Sequence, residues 1–218
     1  MSSHQITLFH HGIAPNPPKV AILLEELGIS YKLVKKEFGD GENGVKAPDF
    51  LAINPNGRVP AIIDHTNNDK IVWESGAILI YLTERFDTSG KYTGKNLDEK
   101  AEVWEWLIFQ LSGLGPMHGQ IGYFKRLHPV KNLDQSVYDR FINETYRVYG
   151  VLNKRLENRE WIALDRFTIA DMSFYTWLYL APLSELSFDG FPHLKAYKER
   201  IAKLPSVEIV YKKLQADD

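Results

Sequence analysis

Apolar positions follow two rhythms along this chain, and the rhythm changes a little before residue 100. In the first part, short apolar runs and one amphipathic period alternate. Gln5 to His10 reads as a strand. Asn16-Pro17-Pro18-Lys19 then opens a helix running to Leu27, with Gly28 as its stop. Proline is tolerated in a first helical turn because the N–H it lacks has no partner there. Asn16 is the expected N-cap. Tyr31 to Phe38 forms a second strand, and strand–helix–strand predicts a parallel pair. A short helix over Pro48 to Ile53 follows. Arg58 to Ile63 is a short apolar strand with Pro60 inside it. It pairs as a hairpin with Lys70 to Trp73 around the polar tip Thr66-Asn67-Asn68-Asp69. A strongly apolar helix, Ala77 to Phe86, closes this part.

The order βαβ-ββα is that of a thioredoxin-like fold, a layered α/β domain. Residues 1–86 form this domain. The polar, glycine-containing segment 87–97 is the expected linker. Beyond it Ala101, Trp104, Leu107, Ile108 and Leu111 recur at helical spacing, and Gly113, Gly115 and Pro116 break or kink that helix. Further helical runs cover Met117 to Lys125, then about Asn132 to Leu156 with Val137, Phe141, Val148 and Leu152 on one side, and finally segments from Phe191-Pro192 and from Pro205. Nothing after the linker alternates as a strand, so 98–218 is expected to be an all-helical C-terminal domain. Thr168-Ile169-Ala170-Asp171 fits a variant of the capping box, with Phe167 and Met172 at the staple positions. This is a folding feature without a catalytic role, although Asp171 is a candidate buried acid.

Composition narrows the chemistry. The chain has 218 residues, 44% hydrophobic content and a net charge of −2. A near-balanced charge favours neither nucleic acid nor a membrane surface. There is no cysteine, which excludes disulfides, thiolate metal sites and a cysteine nucleophile. Sulfur chemistry therefore requires a thiol carried by a ligand. No apolar run approaches the roughly 18 residues needed to span a bilayer, and the N-terminus lacks a secretory pattern. A soluble cytoplasmic protein without a metal is the expectation.

Several apparent motifs carry no chemistry. Gly39-Asp40-Gly41-Glu42-Asn43-Gly44 matches G-x-G-x-x-G, but no long helix opens at it and its carboxylates would repel a pyrophosphate. Asn143-Glu144-Thr145 is a glycosylation sequon lying mid-helix. His10-His11 lacks the spacing of a zinc site and reads as structural or solvated. No G-x-S-x-G and no Walker loop is present.

The informative stretch runs from Asn54 to Leu82. Asn54-Pro55-Asn56-Gly57 is a turn. Pro60 cannot donate to a ladder and is a candidate cis peptide. Val59 before it is then able to offer its N–H and C=O to an extended peptide. Ser75 is placed to cap the following helix, whose free N–H groups favour an anion. Glu74 is a partner for a cation. Taken singly, Val59-Pro60 is edge-strand decoration and Glu74-Ser75 a helix cap. Together they suit a short peptide bearing an amine and a carboxylate.

This combination resembles the cytosolic glutathione S-transferases, and the Thr168–Asp171 box stands at the corresponding point in that family. The resemblance spans Ile6 to Lys213. Ala14-Pro15-Asn16, Asn54 to His65, Trp73 to Leu79 and Gln110 to Gln120 are similar to the fungal and bacterial branch that includes the fungal nitrogen-catabolite (prion-type) regulator. The resemblance implies that Val59, beside Pro60, pairs with the cysteinyl backbone of glutathione. Glu74 and Ser75 would bind the γ-glutamyl amine and carboxylate, and Lys46 the glycyl carboxylate, with Arg58 also in the binding set. Where the branch carries His or Gln for the glycyl end, this chain has Val45.

Other branches place Tyr, Ser or Cys after the first strand to stabilise the thiolate. The loop His11 to Lys19 has none of them; the candidate donor is the Asn16 side-chain NH₂, with a helix cap alone as its alternative. Met117, His118, Tyr123 and Phe124 are expected to line a second-substrate site between the domains; helical core is their alternative. The resemblance implies transferase activity on a small hydrophobic electrophile, a peroxide or a glutathionyl disulfide, and a homodimer. A non-catalytic glutathione-binding regulatory protein is the alternative. A structural interaction domain with a dead site is a third reading.

Overall fold

The computed structural model describes residues 4–12, 14–130 and 133–216. The chain divides into two compact units. One comprises the residues up to Gly90 together with those from Lys203 onward, and the other is Lys91–Ala202.

The first unit is built on a four-stranded mixed sheet, ordered β2-β1-β3-β4. Strand β1 (Ile6–His10) runs parallel to β2 (Tyr31–Lys35), with Ile6 opposite Tyr31 and His10 opposite Lys35. It runs antiparallel to β3 (Ala61–Asp64), which pairs with β4 (Lys70–Trp73) as a hairpin. Helix α1 (Asn16–Leu27) ends where Gly28 turns left-handed at φ 66° and its N–H returns to Leu24 and Glu25. Only glycine takes that conformation without a Cβ penalty. Val20, Ile22, Leu23 and Leu24 of α1 are buried with Ile78, Leu79 and Leu82 of α3 (Ser75–Phe86). Around α2 (Pro48–Ile53), Phe9, Val45, Phe50 and Ala61 form a second core, with Val34, Ile53, Val59 and Ile63 against it.

Several sequence boundaries shift: β1 begins at Ile6 rather than Gln5, and α3 at Ser75 rather than Ala77. The strand expected over Arg58–Ile63 begins at Ala61, so Pro60 stands outside it; a residue without an N–H cannot enter the ladder. The strand expected to reach Phe38 stops at Lys35. The last helix, α9 (Pro205–Ala216), groups with the first unit rather than with the other helices. Its Ser206 hydroxyl donates to Glu26 at 2.7 Å and its Lys213 ammonium meets Glu25 at 2.6 Å, both on α1.

The described residues of the second unit are helical or irregular. Asn96 caps α4 (Leu97–Phe109) by accepting from the Glu99 N–H at 3.0 Å. The buried stripe of this helix is Val103, Leu107 and then Gln110 and Leu114, whereas Ile108 is 57% exposed. Both faces of α4 are apolar enough to fit a helical period, so the pattern alone did not select the inner one. The helix does not break at its glycines and proline. It widens into a π segment, Gln110–Leu114, and resumes as α5 (Gly115–Gly122). The cause is Pro116, which has no N–H to return to the preceding turn, while the Gly115 N–H reaches back to Gln110. A second π segment covers Tyr123–Leu127. Helix α6 is Ser136–Arg155; its expected start at Asn132 lies outside the described residues.

Helix α7 (Ile169–Leu180) opens on the expected box, in which the Asp171 carboxylate accepts from the Thr168 N–H and hydroxyl, each at 2.8 Å. Helix α8 (Pro192–Ala202) completes the unit. No described helix is long and apolar enough to cross a membrane.

Candidate active site

Strand register brings four chain segments to one edge of the sheet. His10 at the end of β1 lies opposite Lys35 at the end of β2. Phe9 lies opposite Ala61, the first residue of β3, and Ala61 opposite Trp73, the last of β4. The loop into α1, the loop after β2, the Asn54–Pro60 turn and Glu74-Ser75 therefore all emerge together. This convergence is a product of topology, since the four segments are separated by up to some sixty residues in sequence.

The Val59–Pro60 peptide is cis. Pro60 is buried and Val59 half-buried against the Phe9–Phe50 cluster. The turn before them is held by Asn54, which is 2% exposed. Its amide donates to the Arg58 carbonyl at 2.6 Å, its Oδ1 accepts from the Asn56 N–H at 3.0 Å, and its own carbonyl accepts from Gly57 at 2.8 Å. Gly57 has φ 59°, and a Cβ there would lie 2.6 Å from the Val45 carbonyl oxygen. Lys46 reaches across to donate to the Asn56 carbonyl at 2.7 Å. Lys46 and the Arg58 side chain are exposed. Sequence reading treated Asn54 only as a turn residue; its side-chain bonds make it the clamp that sets the Val59 backbone.

Glu74 is exposed and held at φ 71°, left-handed for a residue with a side chain. Such strain costs about 1–3 kcal/mol and gathers at binding sites. Glu74, not Ser75, occupies the cap position of α3, without a side-chain cap bond. Ser75 is the first helical residue and is 4% exposed. The expectation of a serine cap is thus displaced by one residue. The same displacement occurs at α1. Pro15 already has helical angles, φ −74° and ψ −20°, so it takes the cap position and Asn16 becomes the first residue of the helix, half-buried. Behind it Lys19 is completely buried. Burial pulls its ammonium down to about 7, and the nearby Glu74 carboxylate opposes that shift. No periodicity argument places a lysine there; the charge of Glu74 is the signal that was missed.

The expected second-substrate residues lie in the other unit. His118 is 2% exposed, its Nε2 sits 3.0 Å from the Ser184 hydroxyl, and its ring packs on Trp177. Burial lowers it to about 4, so it is a neutral core residue rather than part of an open wall. Met117 is half-buried. Tyr123 is 43% exposed, and Phe124 stacks on Phe141 with centroids 5.8 Å apart. Among the described residues no group of His, Asp or Glu is placed to hold a metal ion.

Two family models match the chain, the glutathione S-transferase N-terminal domain over residues 4–84 and its C-terminal domain over 115–205. The chain belongs to the glutathione S-transferase family. This transferase is 38% identical to glutathione S-transferase 2 of Schizosaccharomyces pombe, the match covering 95% of each chain. It is 36% identical to the disulfide-bond oxidoreductase YfcG of Escherichia coli, over 94% of each. The crystal structure of the glutathione transferase URE2P6 from Phanerochaete chrysosporium, in complex with oxidized glutathione, superposes with a TM-score of 0.91 at 37% identity and covers 99% of each chain.

Proposed function

We propose that this transferase binds glutathione on the sheet edge of its first unit and uses the thiolate as a nucleophile. The observation that carries this reading is the convergence of the cis Val59–Pro60 peptide, the start of α1 and the Glu74-Ser75 entry to α3. The Val59 N–H and C=O pair with the cysteinyl backbone. Glu74 takes the γ-glutamyl amine, and Ser75 with the α3 N–H groups takes its carboxylate. Lys46 meets the glycyl carboxylate, and Arg58 lies beside it in the binding set. The sulfur then lies at the start of α1, where the Asn16 amide donates to it.

The magnitudes suit the task. A free thiol has a pKa near 8.5. A hydrogen bond to a charged group is worth about 1.5–3 kcal/mol, or roughly one to two pKa units. The helix dipole adds about 0.3–1 kcal/mol. Pro17 and Pro18 remove two N–H groups from the first turn, so the Asn16 amide carries more of the stabilisation. The thiolate attacks a carbon electrophile and expels its leaving group, or attacks the oxygen of a peroxide, or the sulfur of a mixed disulfide. Met117, Tyr123 and Phe124 are proposed to contact the acceptor.

A homodimer is the proposed assembly, supported by the edge strand β4, where Ile71 and Trp73 are 37% and 39% exposed. A thiol-dependent reaction in a chain without cysteine suits the reducing cytoplasm.

Calorimetry with glutathione and turnover with an aryl halide, an organic hydroperoxide and a glutathionyl disulfide test this function. We expect binding, and turnover with at least one acceptor. Asn16→Ala should slow that turnover about 10- to 100-fold; unchanged rates with all three acceptors would remove Asn16 from the mechanism. Binding without any turnover would favour the regulatory reading, for which the 34% identity to the nitrogen regulation fragment of the yeast prion protein Ure2p, at a TM-score of 0.89, is the supporting observation.

A further inference from the structure

Asn16 is able to hydrogen-bond a thiolate, but an amide cannot accept the proton that a thiol must first lose. Between β1 and α1 the chain reads His11-Gly12-Ile13-Ala14-Pro15, and His11 is the sole titratable side chain among them. We propose that His11 is the general base of this enzyme, taking the proton of the glutathione thiol on its Nε2. The inference rests on the glutathione reading above.

Three observations support it. First, the His11 Nδ1 lies 2.6 Å from the Lys36 carbonyl oxygen. A carbonyl can only accept, so the ring proton is on Nδ1 and the lone pair is on Nε2. This arrangement gives the imidazole the orientation that a carboxylate gives the histidine of a hydrolase triad. Nε2 has no hydrogen-bond partner among the described residues.

Second, the ring is held in place. The Phe38 ring packs against it at a tilt of 56°, with centroids 3.8 Å apart. Phe38 itself remains 69% exposed. The Lys36 segment is itself anchored. Its N–H donates to the His10 carbonyl at 2.8 Å, and its side chain is 7% exposed with the ammonium 3.4 Å from Asp49.

Third, His11 belongs to the same turn that delivers α1. Its carbonyl accepts from the Ala14 N–H at 2.9 Å, two residues before Asn16. His11 is half-buried, so it is not sealed in the core. The charged and titratable groups on the surrounding elements are His10 on β1, Tyr31, Lys32 and Lys35 on β2, Lys36 and Glu37 after it, Asp49 on α2, and Lys19, Glu25 and Glu26 on α1.

The step balances. The S–H proton passes to Nε2, giving an imidazolium, and the sulfur keeps the bonding pair. That pair forms the new bond to the acceptor while the leaving group departs with its own. The imidazolium then returns the proton to the leaving group or to solvent.

His11→Gln is the test, read in three ways: glutathione affinity by calorimetry, the ultraviolet absorbance of bound thiolate against pH, and turnover against pH. We expect near-parental affinity, thiolate formation displaced to higher pH, and turnover at neutral pH lowered about 100-fold, the usual scale of general-base catalysis. The rate should recover toward the parent value above about pH 8.5, where a thiol ionises unaided. Phe38→Leu, a change at an exposed position, keeps the imidazole but loosens it and should lower turnover in the same direction by a smaller factor. If His11→Gln binds glutathione and its thiolate titrates as in the parent, the assignment of His11 fails while the glutathione reading stands. If the unaltered chain binds no glutathione, both fail.

Discussion

Asp64 in the first unit and Asp171 in the second are equally hidden, each with 0% exposure. Each carboxylate also collects a similar set of donors. Asp64 accepts from the Thr66 N–H at 2.8 Å and hydroxyl at 2.6 Å, from the Tyr81 hydroxyl at 2.8 Å and from Arg85 Nε at 2.8 Å. Asp171 accepts from the Thr168 N–H and hydroxyl, from the Tyr197 hydroxyl, all at 2.8 Å, and from the Ile162 N–H at 2.9 Å. Yet they titrate in opposite directions. Burial works to raise Asp64, but its Thr66 and Tyr81 bonds and the Arg85 charge outweigh burial and hold it below the ordinary carboxylate value. Burial dominates at Asp171 and pushes it from 3.8 up to about 6 despite its hydrogen bonds.

Two physical differences separate the pair. Asp64 has a cation, and it lies at the root of a hairpin whose tip residues Thr66, Asn68 and Asp69 are exposed. Asp171 has neutral donors only, and its chain neighbours Ile169, Ala170 and Met172 are all buried. A full set of hydrogen bonds therefore does not by itself hold a buried acid at its ordinary value; a counter-charge or nearby solvent must help.

The sharpest way to break this comparison is Asp171→Ala. It strands the Ile162 and Thr168 N–H groups and the Tyr197 hydroxyl, at about 1–3 kcal/mol each. We expect a loss on the order of 4 kcal/mol, read from the denaturation midpoint at constant m-value. A loss under about 1 kcal/mol would mean that water replaces the carboxylate.

The next effect is a pH dependence of opposite sign in the two units. The folded-state value of Asp171 exceeds its unfolded value, so the folded chain holds a proton that the unfolded chain releases. Its contribution to stability is fully present below about 4, falls as pH rises to about 6, and is flat above, a span of about 3 kcal/mol. Asp64 is depressed, so its contribution is present above its ordinary value of 3.8 and is lost as pH falls through the folded value. Denaturation measured from pH 7 to pH 3, with Asp171→Asn as reference, should show the first slope in the parent alone. A parent and variant with parallel curves between pH 4 and 6 would remove the buried-acid account.

The smallest effect is expected from Asp64→Asn. Arg85 is partly exposed and also donates to the Thr66 carbonyl at 3.0 Å, so solvent and that bond compensate in part. We expect about 2 kcal/mol at neutral pH and disappearance of the acid-limb loss below pH 4. Equal losses for Asp64→Asn and Asp171→Ala would erase the distinction between the sites.

Much of this molecule was legible without coordinates because its signals are local. Gly28 stops α1, the Pro48–Ile53 helix has its expected bounds, the Lys70–Trp73 strand closes its hairpin, and Thr168–Asp171 opens α7. Each depends on residues a few positions apart, whose conformational preferences and side-chain reach act regardless of the rest of the chain. The proline before β3 was read as a cis candidate for the same reason, and the peptide is cis.

The remaining features were decided by contacts between distant segments. Pro15 and Glu74 take the cap positions assigned to Asn16 and Ser75 because their backbone angles are set by the loops they end. The last helix joins the first unit through Glu25 and Glu26 of α1. The burial of Lys19 against the Glu74 charge, the tautomer imposed on His11 by the Lys36 carbonyl, and the opposite titration of Asp64 and Asp171 depend likewise on which groups tertiary packing brings together. Patterning dictates which residues go inside and in what periodic structure, but the electrostatics of a buried group depend on its neighbours in space, and only the folded chain supplies those.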